Sequence, residues 1–310
     1  PELRQALADY LRLRGVVRSP DAIVVTGGAR EGLALLLLAT QAQRIGVEDP
    51  GYPSLRKVLE RYGVNAVPLA TDTRGLKTDR LPTDDLDSVV VTPSHQYPLG
   101  GSLPAERRQQ LLAWARAQGT LVIEDDYDSQ LRYTSEPLPA LASLDEAERV
   151  VMLGTFSKIL TPSLGIGYLV VPPHLTDAIR SVREDCGDPV GLVEQRALAH
   201  YLASGSLTRH TQRMRALYRR RRETVTAALA GIDGTLVYPM DGGLHCVVAH
   251  DRDDATVIAR LHNRGVHATA LSEYCATQSG RAGLVFGFGD VSDAHLEHGL
   301  AAIRSVLLER

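Results

Sequence analysis

Short, mostly apolar runs recur through the first half of the chain, with segments of helical spacing between several of them. Residues 23–26, 45–48, 65–69, 88–92, 121–124, 150–154 and 167–171 read as strands. Residues 30–39, 55–62 and 105–118 read as helices between them. Continuous apolar strands, rather than alternating ones, belong to a sheet covered on both faces. The βαβ alternation therefore predicts an α/β domain with a mostly parallel sheet. In such sheets ligands bind outside the carboxyl ends of the strands.

The last third follows a different pattern. Residues 192–202 and 206–229 predict long helices. Strands at 244–248 and 283–288 and helices at 254–264 and 293–308 follow. The expected organisation is a large domain over 1–175, connecting helices over 176–214, and a smaller C-terminal α+β domain over 215–310.

Composition narrows the class only modestly. The 310 residues are 44% hydrophobic and carry a net charge of −3, which offers no global attraction to nucleic acid or anionic membrane. No apolar run has the length of a membrane span. Cys186, Cys246 and Cys275 are widely separated, which argues for reduced thiols and against a disulfide frame or a metal site. Seven arginines lie between Arg209 and Arg222, but helical spacing spreads them around a solvated face. The chain opens directly on a helical segment and is expected to be a piece of a longer protein.

Two strand ends carry chemistry. The run 121–124 leads into Glu124-Asp125-Asp126-Tyr127-Asp128, and 150–154 leads into Thr155-Phe156-Ser157-Lys158. An acid at one strand end and a hydroxyl-flanked lysine after the next suit pyridoxal 5′-phosphate (PLP). The lysine forms a Schiff base, and the acid keeps the pyridine nitrogen protonated so that the ring can draw electrons. A lone Ser-Lys pair, or an acidic loop by itself, would mean little.

Four segments in order carry a resemblance: Glu48-Asp49-Pro50-Gly51-Tyr52-Pro53, Thr92-Pro93-Ser94-His95-Gln96-Tyr97-Pro98-Leu99-Gly100, Glu124-Asp125-Asp126-Tyr127-Asp128 and Gly154-Thr155-Phe156-Ser157-Lys158. Together they resemble the aminotransferase-like effector domain of MocR/GabR-type transcription regulators, over essentially the whole chain. The resemblance implies fold-type I architecture, PLP as cofactor, a homodimer and a cytoplasmic setting. It also implies that DNA is bound only through an N-terminal winged helix-turn-helix outside this segment.

The same resemblance implies site roles. Lys158 would carry PLP and Asp125 would pair with its ring nitrogen. Tyr127 and Tyr97 would lie near the ring's phenolic oxygen, and Tyr52 would stack on the ring. Gly28, Ala29 and Arg30 would open a phosphate-cradling helix, with Thr155 and Ser157 adding hydroxyls. Glu124, Asp126 and Asp128 are read as structural, and so is His245. His95 and Arg281 are weaker candidates for effector contact.

Two positions depart from the family pattern. Gly165 stands where a phosphate-binding arginine is usual, with Arg30 as the candidate substitute. Val285 stands near where aminotransferases hold a substrate carboxylate with arginine. The expected function is a sensor of PLP or of an amine, controlling transcription through ligand held at Lys158. A half-reaction remains open to a retained lysine, and an active aminotransferase is the alternative.

Overall fold

The computed structural model describes residues 1–83, 85–133, 138–277 and 282–309. In chain order its elements are α1 (Glu2–Arg12), β1 (Ile23–Thr26), α2 (Ala29–Thr40), β2 (Arg44–Asp49), α3 (Pro53–Arg61), β3 (Asn65–Asp72), β4 (Gly75–Leu76) and β5 (Ser88–Val91). Then come α4 (Ala105–Gln118), β6 (Leu121–Asp126), α5 (Leu141–Leu144), β7 (Val150–Thr155), β8 (Gly167–Val170), α6 (Pro173–Cys186), α7 (Leu192–Ala203) and α8 (Ser206–Leu229). The chain ends with β9 (Thr235–Val237), β10 (His245–His250), α9 (Asp254–His262), β11 (Thr269–Ala270), β12 (Gly283–Gly287) and α10 (Asp293–Leu308).

An eight-stranded sheet runs β1-β8-β7-β6-β5-β2-β3-β4. The β7-β6-β5-β2-β3 stretch is parallel, while β8 runs against both β1 and β7. The reversal of β8 follows from its short connection to β7: residues 156–166 bring the chain straight back along its neighbour, with no crossover helix. The central strands β5, β6 and β7 are buried at every position, as continuous apolar runs require. One core packs α1 and α4 side chains such as Leu7 and Leu111 on one face of the sheet. A second packs Leu33, Leu36, Leu59 and Ile179 on the other.

A four-stranded antiparallel sheet, β11-β12-β10-β9, is backed by α8, α9 and α10 around Val225, Val257, Phe288 and Leu300. Helix α8 bridges the two parts. Its Leu207 belongs to the first core, whereas Val225 and Leu229 belong to the third. A small apolar cluster of Leu99, Val247, Leu271, Tyr274 and Val285 joins the sheets beside Tyr97. Among the described residues, no helix is long and apolar enough to cross a membrane.

Arg108 shows how the loop leading to the site is held. It lies on α4 with its guanidinium buried, donating to the carbonyls of Leu103, Pro139 and Pro93 at 2.7–2.8 Å. This pins both ends of the 93–103 loop, which carries His95 and Tyr97. Gln96 inside the loop donates to Pro50 O at 2.8 Å, tying it to the turn after β2.

Candidate functional site

The acids at the end of β6 separate by strand alternation, because successive side chains leave opposite faces. Glu124 points to one face and accepts from the N–H groups of Leu141 (2.8 Å) and Ala142 (2.9 Å), at the start of α5. Asp126 shares that parity and pairs with Arg14 at 2.6 Å. Asp125 takes the other face and borders a cavity of about 240 Å³. Its Oδ1 is buried without a hydrogen-bond partner. Desolvation, reinforced by the charges of Asp126, Asp128 and Glu48, pushes its carboxyl up to about 8, and Lys158 opposes that rise.

The same cavity gathers the residues nominated from sequence. Lys158 and Ser157 line it from the turn after β7, with Thr155 at the strand end. Tyr52, Tyr97 and Tyr127 line it as well, and so do Gly28, Ala29 and Arg30. Gly27, Pro162 and Gly165 also line it, of which only Gly165 drew attention in the sequence.

Local structure explains how Gly28, Ala29 and Arg30 are presented. Gly28 adopts φ 88° and ψ −178°, a conformation that favours glycine, and from there the chain enters α2. The first N–H groups of a helix have no intrahelical partner and favour an anion. Glu31 reaches back to accept from Gly27 N at 3.0 Å, and Arg183 holds its carboxylate at 2.8 and 3.0 Å. Thr155 Oγ1 lies 3.1 Å from Ser157 Oγ and accepts from Ser157 N at 3.2 Å, which orders the turn before Lys158. Gly165 sits at φ 60° with open space around a would-be Cβ.

Tyr52 and Tyr97 meet edge to face, their centroids 5.3 Å apart, and Tyr97 meets Tyr127 the same way at 5.8 Å. Burial drives the Tyr97 and Tyr127 hydroxyls well above the usual tyrosine range, so both remain hydrogen-bond donors. Beyond these tyrosines a second cavity of about 470 Å³ opens toward the small sheet. Lys158, Ser157, Tyr97 and Tyr127 border both cavities, while His245, Tyr274, Val285 and Asp290 border only the larger one.

Two weaker nominations fare differently. His95 is buried and lines neither cavity; its Nδ1 lies 2.8 Å from Asp128 Oδ2 and 2.9 Å from the Tyr127 hydroxyl. Arg281 falls outside the described residues. Sequence reasoning missed Tyr274, whose ring lies 5.5 Å from Tyr97. No pattern in the sequence marks it, because that contact spans the two sheets. His245, read as structural, lines the larger cavity. Its Nε2 donates to Pro98 O at 2.8 Å, and burial drops its pKa to about 3.

Residues 1–303 match the family model for aminotransferase class I and II. The chain is 48% identical over 303 residues to the HTH-type pyridoxine biosynthesis transcriptional regulator PdxR of Corynebacterium glutamicum, covering 97% of this chain and 66% of that protein. It is 32% identical over 317 residues to the probable rhizopine catabolism regulatory protein MocR of Rhizobium meliloti, covering 99% of this chain and 64% of that one. Its backbone matches an archaeal alanine:glyoxylate aminotransferase with a TM-score of 0.91 at 22% identity, over 98% of this chain and 80% of that one, which shows the fold. The chain thus spans about two-thirds of the length of the regulators it matches. PLP is the cofactor of this family. The chain belongs to the aminotransferase class I and II family, as the aminotransferase-like domain that MocR-type regulators carry.

Proposed function

We propose that this chain is the ligand-sensing domain of a MocR-type transcription regulator, binding PLP at Lys158 and reporting PLP or an amine to a DNA-binding segment elsewhere in the protein. The observation that carries the reading is the buried, unpartnered Asp125 Oδ1 in the cavity that Lys158 lines. Burial without a partner disfavours the ionised form of this carboxyl, and a protonated ring nitrogen is the donor that would hold it ionised. When bound, PLP supplies an electron-withdrawing ring on which an amine can be held covalently.

The chain's own residues divide the remaining work. Lys158 supplies the amine that anchors the cofactor, and Asp125 holds a proton at the ring nitrogen. Tyr52 covers the ring, while Tyr127 and Tyr97 donate toward its phenolic oxygen. Gly28, Ala29 and Arg30, with Thr155 and Ser157, receive the phosphate, and Arg30 takes the part of the cation absent at Gly165. An incoming amine occupies the 470 Å³ cavity between Lys158 and the small sheet. Its effect on the small domain is limited by its differential affinity for the open and closed positions.

We place the boundaries at 1–175, 176–214 and 215–310. The division of α8 between two cores supports a junction within that helix. The fold-type I resemblance supports a homodimer, and the DNA-binding role of the relatives supports a cytoplasmic setting. The visible spectrum of the purified chain with PLP tests the reading. Wild type develops the band of lysine-bound PLP, and Lys158→Ala does not. No band in wild type, or an unchanged band in the variant, would overturn it. Sustained turnover with an amino acid and a keto acid would favour an aminotransferase instead.

A further inference from the structure

We propose that His95 and Asp128 form a buried dyad that positions the Tyr127 hydroxyl and couples the cofactor cavity to the small sheet through Gly243. This inference rests on the PLP-binding reading above and adds a route by which occupancy reaches the rest of the molecule.

The hydrogen-bond chemistry fixes the roles. A carboxylate oxygen only accepts, so the 2.8 Å contact between Asp128 Oδ2 and His95 Nδ1 places a hydrogen on Nδ1. The Tyr127 hydroxyl donates to His95 O at 2.9 Å and lies 2.9 Å from the same Nδ1. The Nδ1–H is therefore shared between Asp128 Oδ2 and the tyrosine oxygen. Accepting from an Asp128-oriented imidazole polarises the Tyr127 O–H and makes it a stronger donor. Tyr127 borders both cavities, so its hydroxyl can turn from His95 O toward a ligand acceptor while Nδ1 still holds its oxygen.

The far side of the imidazole meets the small sheet. A Cβ on Gly243 would overlap His95 Cε1, and Gly243 itself sits at φ 79°. The His95 ring lies 5.2 Å from that of His245, the first residue of β10. The segment that follows Asp128 grips the same turn. Gly243 N donates to Leu131 O at 3.1 Å, Tyr133 N donates to Asp241 O at 2.8 Å, and the Tyr133 hydroxyl donates to Gly243 O. Movement of the turn before β10 therefore presses on His95, and a change at Tyr127 presses back. Neither His95 nor Gly243 lines either cavity; Tyr127, Asp128 and His245 stand between them and a bound ligand.

The test uses the PLP-loaded chain and the ligand-free chain. A donor to the phenolic oxygen stabilises its charged form, so weakening that donor raises the pH midpoint of the visible band. His95→Phe and Asp128→Asn should raise it by about 1 unit, while His95→Asn, which keeps a donor near the Nδ1 position, should restore it. Asp126→Asn serves as the control, because Asp126 acts on Asp125 through charge as Asp128 does but pairs with Arg14. In wild type, PLP should slow hydrogen exchange of the 243–246 amides roughly tenfold. That response should vanish in His95→Phe and in Gly243→Ala, neither of which replaces a residue that lines either cavity. An unchanged midpoint in His95→Phe, an equal shift in Asp126→Asn, or a PLP response that survives in Gly243→Ala would overturn the dyad. A wild-type chain with no band would instead overturn the PLP reading itself.

Discussion

Asp125 and Arg30 are the two residues whose replacement separates structural cost from ligand binding. With its carboxyl pushed up to about 8 from an ordinary value of 3.8, Asp125 stays protonated in the ligand-free fold well after it would ionise in the unfolded chain. Between those values the unfolded state binds fewer protons than the folded one, so stability falls as pH rises and levels off above about 8. Glu48 and Glu124, each pushed up to about 7, act in the same direction. Asp125→Asn should flatten part of this slope. Thermal unfolding of the ligand-free variant should match wild type near pH 4 and exceed it by a few kcal/mol at pH 8, while PLP no longer binds. A variant no more stable than wild type at pH 8 would contradict the assignment of that strain. Arg30→Ala should weaken PLP binding by roughly 1.5–3 kcal/mol, the value of a charge-assisted bond to phosphate, as read by titrating the visible band. Unchanged affinity would mean that the phosphate is held by the backbone and hydroxyls alone.

Among the elements, the end of β2 and the start of α3 fasten the segment before β12 to the large sheet. Asp49 accepts from Ala276 N at 2.7 Å, Thr277 N at 3.2 Å and Thr277 Oγ1 at 2.5 Å. Arg56, on α3, donates to Tyr274 O at 2.9 Å and Glu273 O at 3.2 Å. The loop carrying Tyr274 is thereby fastened beside Tyr52 and Tyr97. Asp49→Ala removes three accepted bonds and leaves two backbone donors in want of partners, a loss of about 1–3 kcal/mol in loop docking. Exchange at the Ala276 and Thr277 amides should accelerate at least tenfold, with the β6 and β7 amides unaffected. Equal rates in the two proteins would show that Arg56 and the apolar cluster around Leu271 suffice. Strand β6 explains why the acid cluster was partly legible beforehand. Its last three residues are acids that alternation sends to α5, to the cavity and to Arg14, while Asp128 beyond the strand meets His95.

For the whole molecule, local patterning carried the reading a long way. Continuous apolar runs determine buried strands, helical spacing determines what covers them, and the carboxyl ends of parallel strands determine where Asp125 and Lys158 lie. That much depends on short stretches of chain, whose backbone chemistry and side-chain period are legible residue by residue. Tyr52, Tyr97, Gly28 and Ser157, named from the motifs, line one cavity, because each lies in a segment that follows a strand of the large sheet. What only the tertiary structure decided is how distant segments meet. His95 is 33 residues from Asp128, its carboxylate partner, and Tyr274 is 218 residues from Arg56. The reversed direction of β8, the approach of Gly243 to His95, and the exposure of His245 to the larger cavity are of the same kind. Such pairings depend on the relative placement of two sheets joined through α8, and that placement is set by packing between cores, which no local period encodes.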